Sequence, residues 1–250
     1  MRAFVCLALA VLCGGCVTTE SVQFHPSAEQ QSLVRDGQPA IVSTKKNTIA
    51  ILRPAARQFQ IGGRPVFVLA IYNRGSAPQE FRVTNVNVTQ RLNGNDAQLK
   101  VITYEQLVNE EQNRQTFRAI GAGLAAAGNS MSAAQAGYYR SNSTVYTPRG
   151  TYNVTTTGYS PTAAAIAQSN ANAQNAQMIN ATVEQGQANM ARLEQDVIKD
   201  NTLLPGEWYG GQLHIQPLIS EQGPTKLYSI VVRVGADRHE FDISQGGAGT

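Results

Sequence analysis

The chain has 250 residues, with 20 Lys and Arg against 17 Asp and Glu, a formal charge of +3, and only 15% charged and 7% aromatic residues. That length supports one large domain, or one modest domain carrying an elaboration. A balance this close to neutral, with Lys45-Lys46 as its one adjacent pair of Lys or Arg, argues against a nucleic-acid partner, which would need Lys and Arg gathered on one face.

All three cysteines, Cys6, Cys13 and Cys16, fall in the first sixteen residues, so the rest of the chain has no thiol for a disulfide, a zinc site or a nucleophile. Arg2, an apolar run from Ala3 to Leu12, and Gly14-Gly15 before Cys16 predict a three-part export leader, with a run too short to span a bilayer. The segment Leu12-Cys13-Gly14-Gly15-Cys16 resembles the lipobox of bacterial lipoproteins, with Cys13 in the place the family usually gives to Leu. The resemblance implies that residues 1–15 are a signal peptide, that Cys16 is acylated as the mature N-terminus, and that the membrane is a partner through this lipid. Val17 in place of Asp implies the outer membrane of the cell envelope. Residues 16–46 are polar and turn-rich and are expected to form a lipidated tether.

From Asn47 the pattern changes to short runs of β-formers: Thr48–Leu52, Pro65–Tyr72 and Glu80–Val88. The second run is apolar on both faces and predicts a central strand. The third alternates, placing Phe81, Val83, Val86 and Val88 inward with an irregularity near Asn85. A turn at Asn93-Gly94-Asn95 leads into Gln98–Ile102, and strand signals resume at Gln212–Ile215, Tyr228–Val234 and His239–Ile243, the last two joined by Gly235-Ala236-Asp237-Arg238. About seven short strands in two groups fit an antiparallel sandwich. The arrangement resembles immunoglobulin-like domains of secreted bacterial proteins through two turns, Asn73-Arg74-Gly75 and Leu204-Pro205-Gly206-Glu207.

Between these groups lies a different material. From Tyr104 to Gly137, apolar or small residues recur at helical spacing: Leu107, Val108, Phe117, Ile120, Leu124, Ala127, Met131 and Ala134. A second helix starts at Ser160-Pro161 and carries Ile179, Val183, Gly186, Met190, Leu193 and Val197 at alternating steps of four and three, the spacing of a coiled-coil seam. Two facing helices of roughly 35 residues make an arm roughly 50 Å long. Gly121 and Gly128 predict close helix packing, and the scarcity of large residues implies a partner or further copies. Ser141–Thr147 and Thr151–Thr157 alternate around Pro148-Arg149-Gly150 and predict a β-hairpin tip. Several such tips could close a barrel with Val145, Tyr146, Tyr152 and Val154 near lipid, but seven residues per strand fall short of the roughly nine to eleven a span needs.

Candidate partner-binding residues are Tyr138, Tyr139, Tyr146 and Tyr152 at the tip, and Trp208 with Tyr209 on a glycine-flanked turn. Val183, Gly186 and Met190, with Gly121 and Gly128, are the candidate packing positions. His239 near Asp237 and Asp242 reads as the solvated face of an edge strand, no metal spacing is present, and no serine elbow occurs.

The expectation is a mainly β chain with an α insertion: an immunoglobulin-like antiparallel β-sandwich from 47–102 and 201–243, an inserted helical arm over 103–200 tipped by a β-hairpin at about 138–159, and a disordered tail at 244–250. Its expected function is non-enzymatic, a structural or protein-binding component of a larger envelope assembly without a cofactor. A glycan or cell-wall binding module, or an envelope hydrolase with unrecognised carboxylates, is the alternative.

Overall fold

The computed structural model describes residues 19–35, 37–92, 95–219 and 225–247, so the leader and Cys16 lie outside the described residues. In chain order the elements are β1 (Thr19–His25), β2 (Gln30–Arg35), β3 (Gln38–Thr44), β4 (Thr48–Pro54), β5 (Phe59–Gln60), β6 (Val66–Asn73), β7 (Gln79–Leu92), β8 (Asn95–Leu99) and β9 (Val101–Ile102). Then follow α1 (Tyr104–Gln135), β10 (Tyr138–Thr147), β11 (Gly150–Tyr159), α2 (Pro161–Asp196), β12 (Asn201–Leu203), β13 (Trp208–Ile215), β14 (Thr225–Val234) and β15 (Asp237–Gly247). Two compact units result: a β unit up to Gln106 and from Glu194 onward, and an arm from Leu107 to Leu193.

The β unit is a sandwich-like pair of antiparallel sheets. One runs β12-β7-β14-β15-β1-β5 with β8 also on β7, and the other β2-β3-β4-β6-β13-β9. Strand β6 is central, flanked by β4 and β13, and its period-two burial sends Phe67, Leu69 and Ile71 into the core. They meet Phe81, Ile230, Val232 and Phe241 of the other sheet in one hydrophobic cluster. Each fully buried Phe there contributes about 1.5–3 kcal/mol by removal from water.

The irregularity expected near Asn85 is present. Val232 faces Val86 while Val234 faces Phe81, so β7 bulges between them and exposes both Thr84 and Asn85. Within the bulge the Val83 N–H donates to the Asp200 carboxylate at 2.7 Å, which satisfies a donor released from the ladder. The two turns of the immunoglobulin-like resemblance also meet. Fully buried Asn73 receives a hydrogen bond from the Gly206 N–H at 2.8 Å, and its side-chain amide donates to Leu203 O at 2.9 Å.

Three expectations need correction. Residues 16–46 are no tether where described, because β1, β2 and β3 are paired strands from Thr19 onward and β1 lies between β15 and β5. The tail is likewise strand as far as Gly247, and Ser244 and Gln245 are buried against β1. Both segments look polar because what they bury is polar: Glu20 accepts from Lys226 at 2.5 Å and from Gln245 at 2.8 Å, and Tyr228 donates to Gln245 at 3.0 Å. The expected run Gln98–Ile102 also divides at Lys100, with β8 joining one sheet and β9 the other.

His239 is corrected too. Strand β15 is interior to its sheet, and the imidazole is fully buried, bonded through Nδ1 to Ser43 Oγ and through Nε2 to Thr48 Oγ1, both at 2.9 Å. Thr48 in turn donates to Asp237 at 2.8 Å. Burial pushes the His239 pKa down from 6.5 to about 4, against the opposing pull of Asp237.

Candidate assembly arm

Helix α1 starts with a capping box. The Gln106 N–H donates to Thr103 Oγ1 at 3.5 Å, and the Thr103 N–H donates to the Gln106 side chain at 3.4 Å. Helix α2 starts as its sequence predicts, with Ser160 Oγ accepting from the Ala163 N–H at 3.3 Å and Pro161 in the first helical position. Their 32 and 36 residues give lengths of about 48 and 54 Å.

What lies between the helices is polar. Asn129 donates to Asn175 at 2.9 Å, and Asn175 donates to Ala126 O at 3.2 Å. Asn189 donates to buried Glu111 at 2.9 Å, and Gln115 donates to Gly186 O at 3.1 Å. A Cβ at Gly186 would stand 2.9 Å from the Gln115 side chain, so this buried glycine leaves room for that amide against the α2 backbone. Burial would raise the Glu111 carboxyl, but hydrogen bonds from Asn189 and Gln115, with Arg114 and Arg118 nearby, hold it below the usual carboxylate range.

The apolar residues face the other way. Phe117, Leu124 and Met131 are 74%, 71% and 68% exposed, and with Ile120 they recur at steps of three, four and seven on the side of α1 turned from the seam. A Cβ at Gly121 or Gly128 would touch nothing within 4 Å, so neither glycine is required for close packing inside the arm, although Gly121 borders an open groove beside Met178 and Thr182 of α2. The expected α2 seam is displaced as well. Ile179 and Val183 are exposed, while Met178 and Thr182 beside them turn inward. Val183 and Met190 instead line an open groove of about 550 Å³ over Gly186, together with Gln115, Thr116 and Ala119.

At the far end of both helices, β10 and β11 pair in register from Tyr138 opposite Tyr159 to Thr147 opposite Gly150. Each strand has ten residues, longer than the seven the sequence suggested, because the ladder extends past Ser141 and Thr157 to the helix ends. Tyr138, Tyr139, Tyr146 and Tyr152 are all exposed, and the Tyr138 and Tyr159 rings lie 4.9 Å apart at the base. Tyr146 lies on the opposite face from Val145, Tyr152 and Val154, which corrects the set expected to share one side.

Trp208 and Tyr209 belong to the β unit and separate in role. They begin a strand rather than occupy a turn. Trp208 is 56% exposed and stacks on Tyr72 with ring centroids 4.9 Å apart. The Tyr209 hydroxyl accepts from Lys199 N at 2.9 Å and donates to Lys199 O at 3.0 Å, which fixes it structurally. The amides Asn129, Asn175 and Asn189 were missed as seam residues; their only sequence signal is spacing opposite the apolar stripe. No family model, curated protein or solved structure matches this chain.

Proposed function

We propose that the chain is a lipid-anchored envelope protein, held at the outer membrane through Cys16, with no chemistry of its own, and that its helical arm is the surface on which further copies assemble. The observation that carries this reading is the stripe Phe117, Ile120, Leu124 and Met131, which faces solvent while amides occupy the seam. An exposed apolar stripe at heptad spacing is an association surface, since removing it from water is favourable and nothing within the arm does so. The stretches 119–139 and 150–183 hold no charged residue, so like copies meet there without repulsion. The anchor rests on the lipobox-like segment, and an immunoglobulin-like kinship of the β unit on the clasp of Asn73 with Leu203 and Gly206.

Light scattering of the full-length protein in mild detergent tests the reading. The wild type is expected as an oligomer and the Phe117→Ser, Leu124→Ser double variant as a single chain; a monomeric wild type removes assembly. Mass spectrometry that finds Cys16 unmodified removes the anchor.

A further inference from the structure

The helix stripe alone is a modest surface. From Phe117 to Met131 it is about 21 Å long, and even the whole length of α1, about 48 Å by about 10 Å, offers roughly 500 Å² per copy, below the roughly 800 Å² that a standard stable interface takes from each partner. More contact has to come from elsewhere, and the β10–β11 hairpin has the features to supply it. Every residue in it is exposed except partly covered Gly158. Among the described residues neither strand has a second neighbour, so each presents an edge of backbone N–H and C=O groups. A two-stranded hairpin with both faces bare is marginal in water by itself.

Its length and patterning point to a specific environment. Ten residues per strand extend about 33 Å, and at a barrel tilt of roughly 40° they rise about 25 Å, the height of the apolar band of a membrane barrel. Alternation divides the hairpin into two faces. One carries Tyr139, Val145, Tyr152 and Val154 with small or hydroxyl residues between them, and no charge or amide. The other carries Arg140, Asn142 and Asn153, with Thr144 donating to Asn153 at 3.0 Å and Thr155 donating to Asn142 at 2.9 Å across the strands. Tyrosines stand near both ends, Tyr138, Tyr139 and Tyr159 at the base and Tyr146 and Tyr152 near the turn. On the Val145–Tyr152 face the aromatic residues are Tyr139 near the base and Tyr152 near the turn, whereas Tyr138, Tyr146 and Tyr159 lie on the Arg140–Asn153 face. At the base the Ser160 N–H donates to Gly137 O at 2.7 Å, so each helix pair holds its hairpin in place.

We infer that the hairpins of several copies pair edge to edge and close into a β-barrel that inserts into a membrane, with the Val145–Tyr152 face toward lipid and the Arg140–Asn153 face toward a water-filled lumen. The barrel rests on the self-assembly proposed above, since one hairpin cannot close. Closure is what permits insertion, because it removes the free edges that hydrocarbon would leave unsatisfied.

The test uses the full-length protein with single cysteines labelled by an environment-sensitive fluorophore and added to phosphatidylethanolamine–phosphatidylglycerol vesicles filled with a small dye. Labels at Val145→Cys and Val154→Cys are expected to shift to the blue, labels at Thr144→Cys and Asn153→Cys to keep aqueous emission, and the dye to escape. All four sites are exposed, so a fold defect is not expected, and light scattering of each variant checks assembly. Oligomers whose four labels all stay aqueous and whose vesicles stay sealed overturn the barrel and leave the assembly reading intact. A monomer at every concentration overturns both. A variant with residues 139–158 replaced by a short Gly-Ser loop is expected to keep some association through α1 and release no dye; dye release from it also overturns the barrel.

Discussion

In the β unit Phe67, Phe81 and Phe241 are fully buried and the polar groups among them are paired, whereas in the arm Phe117, Leu124 and Met131 stand in solvent and asparagines fill the interior. The first arrangement accounts for its own stability through apolar burial. The second relies on hydrogen bonds worth about 1 kcal/mol each, made between helices that bury mostly alanine and glycine. The two units therefore respond to different conditions. One buries its large apolar residues within the chain, and the other leaves them exposed along one side of α1.

The comparison breaks most visibly if the core is emptied. Phe241→Ala should cost about 3–5 kcal/mol in urea denaturation of the β unit, because the cavity adds to the lost transfer energy. A loss under about 1 kcal/mol would show that the sheets do not share one core there. Acid should act on the β unit next. His239 folds neutral with its pKa lowered to about 4 by burial, so the unfolded chain takes up a proton that the folded chain refuses between pH 6.5 and 4. Stability fully present above pH 6.5 is therefore lost as pH falls to about 4, by roughly 3 kcal/mol, and denaturation curves of His239→Gln should lack that component. The smallest effect belongs to the arm. Asn175→Ala removes bonds to Asn129 and Ala126 and should speed amide exchange in both helices by about 1 kcal/mol of local stability, leaving the β unit's protection unchanged. Equal protection in variant and wild type would mean that the amide ladder does not hold the seam.

Sequence patterning located β4, β6, β7, β14 and the second half of β13 as runs of β-formers, alternating in β7 and apolar on both faces in β6, and the start of α2 because Ser160 and Pro161 are residues with strong end preferences. It overlooked β1 and β3 and the end of β15 for a physical reason. Their burial is partly polar, and the partners that justify it, such as Lys226 for Glu20 and His239 for Ser43, lie some two hundred positions away. The arm misled for the complementary reason. Placing Ile179 and Val183 in the seam assumes that large apolar side chains turn inward, and here the inward places go to Thr182, Asn175 and Gly186. His239 was misjudged because Asp237 and Asp242 beside it suggested solvent, whereas its hydrogen-bond partners come from another sheet.

The early start of β1 has a consequence for kinetics. With Thr19 already locked into a sheet, a lipid on Cys16 would be joined to the folded unit by three peptide steps, a leash of at most about 11 Å. A thirty-residue tether would let an anchored chain roam a deep layer beside the membrane. A leash this short would confine anchored copies to a thin sheet of volume along the bilayer, so that encounters would become a two-dimensional search and the effective concentration of like copies would rise without any added affinity.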